Sequence, residues 1–391
     1  MFKNHKTCRA CGNTDLIQVL SLGNQPLANS FKTAEEAQDG LVPLTVLFCR
    51  TCTLAQLSVT VSPEVMYRNY SYVTSKSEMM KEHFSKLMED IGKETAGFSV
   101  DKPAFYKPKM LEIGSNDGEF LCHATRSGFE VMGIEPAFNL AAIADSRNIH
   151  TLSCLFDEAM AKNLSENYKA DVVMARHVFA HIDDWHGFIR ALELVTHKDA
   201  LVVIEVPWVV DMFRMNSWDQ IYHEHLSYVS IRSIHKLLEG TPFYVHTVKH
   251  YTIHGGAIGV YLRRRNESPR PNLQLVEENN LLEGWTNLDS ARSAMTSELV
   301  MTLRQLKREG AKVCAFGASA KATVWINACG FTSKDIAFVC DSTVQKQGKL
   351  IPGTDIPILS ESMLNEADCA LLTAWNFAEE IMDKHKHFKG R

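Results

Sequence analysis

The chain has 391 residues, more than one ordinary core accommodates at roughly 100–200 residues per domain, so two or three cores are expected. Apolar residues make up 45% and charged residues 22%, with Gly and Pro scattered, which excludes disordered, collagen-like and fibrous classes. Lys and Arg number 41 against 46 Asp and Glu, and the resulting charge of −5 gives no global electrostatic reason to bind nucleic acid.

The N-terminal string MFKNHKTCRACGN has no apolar core of signal-peptide length. No stretch approaches about 18 uncharged apolar residues, and the longest, residues 201–210, is broken by Glu205 and Pro207. The reading is therefore a cytoplasmic protein with no membrane partner. In that compartment the ten cysteines are reduced, so clusters among them point to metal or chemistry before disulfides.

Residues 1–75 carry Cys8-x-x-Cys11 and Cys49-x-x-Cys52 among turn residues, and short strands are expected there. Two such knuckles complete a tetrahedral set of four thiolates that suits Zn²⁺. With four protein ligands the shell has no place for water, so Cys8, Cys11, Cys49 and Cys52 are assigned to a structural zinc. Residues 76–95 space Met79, Met80, Phe84, Leu87, Met88 and Ile91 at helical intervals. From residue 109, apolar runs at 109–114, 130–135, 170–176 and 199–207 alternate with helix-length segments, the pattern of a Rossmann-like, mostly parallel sheet. The runs at 243–251 and 257–265 read as an antiparallel pair of edge strands. A polar stretch over 266–282 reads as a linker into a long helix at roughly 285–309. A second, smaller α/β unit then follows, with strands near 311–316, 335–341 and 368–375. The organisation predicted is a zinc-binding domain over 1–75, a cofactor-binding domain over 76–265 and a C-terminal α/β domain over 266–391.

The first glycine loop runs Glu112-Ile113-Gly114-Ser115-Asn116-Asp117-Gly118. Asn116 stands where the dinucleotide fingerprint has the glycine that lets a pyrophosphate approach the backbone. Glu112, two positions before the first glycine, suits a cation better than a phosphate, which favours S-adenosylmethionine (SAM) over NAD. Glu135, at the end of the next strand, is placed for ribose hydroxyls. The candidate cofactor set is Glu112, Gly114, Asn116, Asp117, Gly118 and Glu135, with His177 at the end of a neighbouring strand.

Two histidine-rich strings, Arg176 to His181 and Tyr222-His223-Glu224-His225, follow strands at their carboxyl ends, where open α/β sheets bind ligands. On a helix His223 and His225 point apart and would not share an ion, whereas Tyr222 and His225, three apart, share a face. A histidine beside a phenol or carboxylate is a general acid/base arrangement. The late loop Phe316-Gly317-Ala318-Ser319-Ala320-Lys321 offers backbone N–H groups and a lysine at a helix start, which suits a diphosphate.

Taken together, the paired C-x-x-C, the E-x-G-S-N-D-G loop, H-V-F-A-H, Y-H-E-H, His254-Gly255-Gly256, G-A-S-A-K and T-A-W-N-F resemble the nucleotide-sugar C-methyltransferases that methylate C-3 of a 4-keto deoxysugar. The resemblance covers almost the whole chain. It implies a SAM-binding domain flanked by a zinc domain and by a C-terminal domain toward which the nucleotide-linked 4-keto sugar is held. It also implies His225 as the base, with Tyr222 and Glu224 nearby and His181 facing the sugar, and Tyr72, His254, Ser319 and Lys321 as substrate contacts. The C-3 hydrogen is acidified by the adjacent carbonyl, so a base generates an enolate, and Tyr222 or His181 is the candidate donor to its oxyanion. The alternatives carried forward are an N- or O-methyltransferase of another small molecule and a non-catalytic interaction protein on the same scaffold. Family members continue past the N-F-A-E-E-I helix into a glycine turn and a last apolar strand. This chain ends at His387-Phe388-Lys389-Gly390-Arg391, so a C-terminal sheet short of one strand, or a truncated chain, is expected.

Overall fold

A computed structural model of the protein describes residues 2–37, 39–63, 66, 74, 78–96, 105–264 and 277–391. The N-terminal region contains β1 (Phe2–Asn4), β2 (Leu16–Gln25), β3 (Val42–Cys49), β4 (Ala55–Leu57) and β5 (Val59–Val61). Helix α1 (Glu78–Thr95) buries Met80, Phe84, Leu87, Met88 and Ile91, five of the six residues that the helical spacing predicts, and leaves Met79 exposed. The alternating region follows as β6 (Lys109–Ile113), α2 (Glu119–Arg126), β7 (Glu130–Ile134), α3 (Phe138–Ser146), β8 (Thr151–Leu152), α4 (Glu158–Ser165), β9 (Ala170–Arg176), α5 (Trp185–Val195) and β10 (Thr196–Pro207). After it come α6 (Val209–Arg214), β11 (Ser227–Tyr228), α7 (Ile231–Leu237), β12 (Phe243–Tyr251) and β13 (Ala257–Arg264). The C-terminal region holds α8 (Leu281–Arg308), β14 (Val313–Phe316), α9 (Ala320–Ala328), β15 (Val339–Asp341), β16 (Ile358–Ser360), β17 (Cys369–Leu372) and α10 (Ala378–Lys384).

The central sheet has seven strands in the order β12-β13-β10-β9-β6-β7-β8. Strands β10, β9, β6, β7 and β8 are parallel. β9 is buried along its whole length and β10 from Ala200 to Val206, as a sheet covered on both faces requires. The pair expected at the edge is antiparallel, but only β12 is the edge. β13 lies inside, antiparallel to both β12 and β10, because its Ala257–Leu262 run is apolar enough to be buried on both sides. The chain runs outward from β6 in one direction through β7 and β8, then returns to β9 and β10 on the other side. The carboxyl ends of β6 and β9 are therefore a topological switch point, where an open sheet leaves a crevice. The C-terminal sheet has the order β16-β15-β14-β17, all parallel, with its own switch point between β14 and β17. Among the described residues it has four strands, and the Arg391 carbonyl accepts a backbone hydrogen bond from Ala370 on β17.

A third sheet, β11-β4-β3-β2, shows how the N-terminal region is tied to the rest. β11 comes from the segment just after Tyr222–His225 and pairs antiparallel with β4, Ser227 against Gln56 and Tyr228 against Ala55. The second tie is electrostatic. Asp183, beyond β9, accepts from Arg9 Nε at 3.0 Å and from the Thr60 hydroxyl at 2.7 Å, with His5 Nε2 3.0 Å away. Burial alone would raise the Asp183 carboxyl, but the His5 hydrogen bond and the Arg9 charge hold it well below the usual carboxylate range.

A carboxyl depressed in the folded state stabilises the protein above its unfolded pKa near 4 and loses that contribution as pH falls toward the folded value. Urea unfolding should show Asp183→Asn less stable than the parent by about 3 kcal/mol at pH 7, as breaking a largely buried pair does. The gap should narrow below about pH 4. A gap that is absent at pH 7, or that grows on acidification, contradicts this account.

Candidate active site

Two switch points and the loop after β10 open into one cavity of about 1000 Å³. From the central sheet it receives Gly114, Asn116, Glu135, His177 and His181. Tyr222, His225 and His254 come from the loops beyond β10, and Ser319 and Lys321 from the C-terminal region. Of the remaining candidates, Tyr72 lies outside the described residues, and Glu112, Asp117, Gly118 and Glu224 are placed behind the wall.

On the cofactor side the glycine loop is held by its backbone. Gly114 has φ +68, and a Cβ there would collide with Val178; Gly118, φ +76, opens α2 in the left-handed region. Asn116 also has a positive φ, and its N–H donates to Glu135 Oε2 at 2.8 Å, while Glu135 Oε1 accepts from Ala137 N–H at 2.8 Å. Both Glu135 oxygens are thereby oriented at the rim of the crevice. Glu112 is fully buried and receives Arg176 Nε and Nη2 at 2.8 and 2.7 Å. Burial pushes its carboxyl up to about 7 against the pull of Arg176. Its charge is thus met by Arg176, which itself lines the cavity, whereas the sequence reading has it facing a cofactor cation. Asp117 is buried beside Arg147, with 3.2 Å between Oδ2 and Nη1.

On the opposite side the chain from Ser217 to Leu226 is a string of turns. The His225 N–H closes one of them on the Tyr222 carbonyl at 3.0 Å, which brings the two side chains together as their spacing predicts. His225 Nδ1 lies 2.8 Å from the Gln220 carbonyl oxygen, and Nε2 lies 2.8 Å from the Tyr222 hydroxyl. A carbonyl oxygen only accepts, so Nδ1 carries the proton and Nε2 presents its lone pair, to which Tyr222 donates. Burial, reinforced by the neighbouring His181, keeps the His225 imidazole well below its ordinary pKa, so it is neutral at physiological pH. The His181 and His225 ring centroids are 5.2 Å apart, and burial lowers His181 to about 4. The other two members of the string point elsewhere. His223 donates to the Val42 carbonyl at 3.2 Å, and Glu224 accepts from Asn29 Nδ2 at 2.7 Å.

Several contributors escaped the sequence reading. Asn29, from the N-terminal region, lines the cavity and holds Glu224. Glu205, fully buried at the end of β10, accepts from His83 Nε2 at 2.6 Å and lies 3.0 Å from His177 Nε2. Burial alone would raise Glu205, but the His177 and His83 hydrogen bonds hold it well below the usual range. The signal was present in the sequence as an acid interrupting an apolar strand. His177 and His254 both adopt positive φ and meet edge-on with centroids 4.9 Å apart. Strained backbone of this kind clusters where a site is built. In the C-terminal region Ser319 caps α9 through its hydroxyl, which accepts from Ala322 N–H at 3.2 Å. Lys321 Nζ sits 4.1 Å over the Trp375 ring, buried and without a hydrogen-bond partner among the described residues.

The comparisons with known proteins agree along the chain. Residues 8–67 match a family model for a zinc binding domain, 80–248 one for a methyltransferase domain, and 252–391 one for a C-methyltransferase C-terminal domain. Over 394 residues the chain is 34% identical to the C-methyltransferase NovU of Streptomyces niveus, covering 97% of this chain and 92% of that protein. The chain belongs to the SAM-dependent C-methyltransferase family. Among solved structures, the PH0226 protein of Pyrococcus horikoshii OT3 is similar at a TM-score of 0.38 and 12% identity, covering 50% of this chain and 95% of that one. A SAM-dependent methyltransferase of Clostridium acetobutylicum ATCC 824 gives 0.37 and 11%, covering 47% and 91%. No helix among the described residues is long and apolar enough to cross a membrane.

For a C-methyltransferase the two implied groups fit the residues present. SAM fits the crevice bounded by Gly114, Asn116 and Glu135, which offers exposed loop backbone and an oriented carboxylate at its rim. Zinc fits the four cysteines, whose sulfurs lie within 4.8 Å of one another, with Cys8 and Cys52 3.4 Å apart and Cys11 and Cys49 3.6 Å apart. Soft thiolates in a closed set of four are a structural zinc shell. Because β3 ends at Cys49 and β4 pairs with β11, a metal held by these cysteines would brace the sheet that anchors the chain just after His225. Stripping the zinc with a chelator should lower the thermal midpoint and methyl transfer together, and re-addition should restore both. Full activity and an unchanged midpoint in demonstrably zinc-free protein contradict that bracing role.

Proposed function

We propose that the enzyme transfers the SAM methyl group to C-3 of a nucleotide-linked 4-keto-6-deoxyhexose by way of an enolate, in the biosynthesis of a branched deoxysugar. The observation that carries this reading is the His225 tautomer: a half-buried, neutral imidazole whose Nδ1–H is committed to Gln220 and whose Nε2 lone pair faces the cavity beside Tyr222. N- or O-methylation of a nucleophilic heteroatom has no need of a carbon base, whereas removal of a C–H proton does. On this reading residues 1–75 carry the structural zinc, 76–265 the cofactor and 266–391 the sugar nucleotide.

The C-3–H bond breaks toward His225 Nε2, and its electron pair moves into the C-3–C-4 bond while the carbonyl π pair moves onto O-4. Tyr222 and His181, both on the cavity wall, are the candidate donors to that oxyanion. Shifting its hydroxyl from Nε2 to O-4 frees the imidazole to take the proton as charge develops on oxygen. The Gln220 carbonyl then faces the proton-bearing Nδ1 of the imidazolium and supports its charge. When bound, SAM supplies an electrophilic methyl group for the carbon nucleophile. Glu135 serves the ribose of the cofactor, with Asn116 keeping its carboxylate in place. The buried Lys321 ammonium and the N–H groups opening α9 serve the diphosphate, since a buried ammonium with no hydrogen-bond partner among the described residues is costly until an anion accepts from it.

In D₂O without SAM, the enzyme should wash the C-3 hydrogen of a 4-keto nucleotide sugar into solvent. Substituting His225→Ala should lower both exchange and methyl transfer by about 10²–10⁴-fold, the usual worth of a general base, while SAM binding measured by calorimetry is retained. Methylation without exchange in the parent enzyme, or a fully active His225→Ala protein, sinks the reading. Because burial lowers His225, the base stays unprotonated below its ordinary pKa near 6.5. The acid limb of the kcat profile should therefore fall below pH 6.5, and a limb above it contradicts the assignment.

A further inference from the structure

The sharpest feature the proposed chemistry leaves unused is a buried carboxylate at the joint between the two α/β units. Asp219, 1% exposed, sits in the single turn Trp218–Gln220. Its Oδ2 accepts the indole N–H of Trp325 at 3.1 Å and that of Trp375 at 2.6 Å. Both indoles belong to the C-terminal unit, Trp325 on α9 and Trp375 just after β17. A third indole, Trp218, packs on Trp325 with centroids 4.2 Å apart. A carboxylate removed from water is costly unless it is fully met, and two neutral donors are a weak counterweight. Burial pushes Asp219 up, against the Lys321 charge and the two indoles. What the arrangement does supply is direction: each indole has one N–H, so a shared acceptor fixes both rings relative to the turn.

The turn leads directly to the base. Gln220, the next residue, offers the carbonyl that fixes the His225 tautomer at 2.8 Å, and its side-chain amide is tied to the Ser217 hydroxyl at 3.0 Å. Trp375 also reaches the other side of the cavity. A Cβ on Gly255, next to His254, would stand 3.1 Å from the Trp375 ring, and the Lys321 ammonium lies 4.1 Å over the same ring. One indole thus touches the carboxylate before the base, the turn carrying His254 and the cation facing the substrate anion.

We propose that Asp219 is a positioning residue through which the C-terminal unit, by way of Trp325 and Trp375, holds the Ser217–Leu226 segment so that Gln220 presents its carbonyl to His225. Base alignment then depends on docking of the unit that takes the sugar nucleotide. The inference rests on His225 as the base.

The test compares Asp219→Ala, Asp219→Asn and Trp375→Phe with the parent enzyme. The readouts are kcat and KM for methyl transfer, C-3 exchange in D₂O, SAM affinity and the thermal midpoint. Misplacing a base by about an ångström costs on the order of 10²-fold, so Asp219→Ala should lose that much in kcat and in exchange, with KM and SAM affinity near the parent values. Asp219→Asn keeps an acceptor for the indoles and should recover part of the loss. Trp375→Phe removes one N–H while keeping a ring under Lys321, and should lower kcat about tenfold, an intermediate loss on the same scale. It decides the matter if Asp219→Ala does not fold. Rates in folded Asp219→Ala or Trp375→Phe within about twofold of the parent overturn the proposal, as does a loss confined to KM, since a misplaced base would cost far more than that in kcat. If the parent enzyme methylates without exchange, the base assignment fails by itself, and kcat alone then decides the role of Asp219.

Discussion

A single hydrogen bond, from the Nδ1–H of His225 to the Gln220 carbonyl, decides which ring nitrogen of His225 carries the lone pair in this cavity. Either tautomer of a neutral imidazole is accessible in water, and only one leaves Nε2 free. An acceptor-only oxygen at 2.8 Å removes the ambiguity. The selection costs little once the carbonyl is held still, but the Ser217–Leu226 segment is a chain of turns with no helix or strand of useful length to hold it. The remainder of the protein can be understood as the apparatus that does so.

Two bodies converge on that segment. The N-terminal sheet takes its continuation, Ser227–Tyr228, as a fourth strand, and Asn29 from the same region anchors Glu224. The neighbouring Ala28 carbonyl accepts from Thr323 on α9, so this N-terminal loop also reaches the C-terminal unit. That unit contributes the two tryptophans on Asp219. A closed zinc shell far from any bond-making step is reasonable in this setting. A sheet whose strands β4 and β11 are only three and two residues long is a poor anchor by itself, and cross-linking two knuckles through a metal would stiffen it.

The sheet architecture was legible in the sequence because alternating apolar runs and helix-length segments permit few topologies. The Cys₄ spacing and the Tyr222–His225 pairing were legible because each depends on residues close in sequence. The remainder depended on contacts between distant segments. No local pattern ties Asn29 to Glu224 or Asp219 to Trp375, which stand 195 and 156 positions apart. Glu112 illustrates the converse. Its position beside the glycine loop suggested a carboxylate facing a cofactor cation, yet Arg176, 64 positions away on the adjacent strand and itself on the cavity wall, meets it. The inward placement of β13 was missed for a related reason, since an apolar run states that a strand is buried without saying between which partners.

The central claim, that His225 is a neutral base with its lone pair on Nε2, is tested most directly by nitrogen-15 NMR of ring-labelled histidine, with the His225 signals assigned by their loss in His225→Ala. At pH 7 the account predicts a protonated, pyrrole-type Nδ1 and an unprotonated, hydrogen-bonded Nε2, a pattern that persists below pH 6.5. An imidazolium at neutral pH, or a proton resident on Nε2, would contradict it.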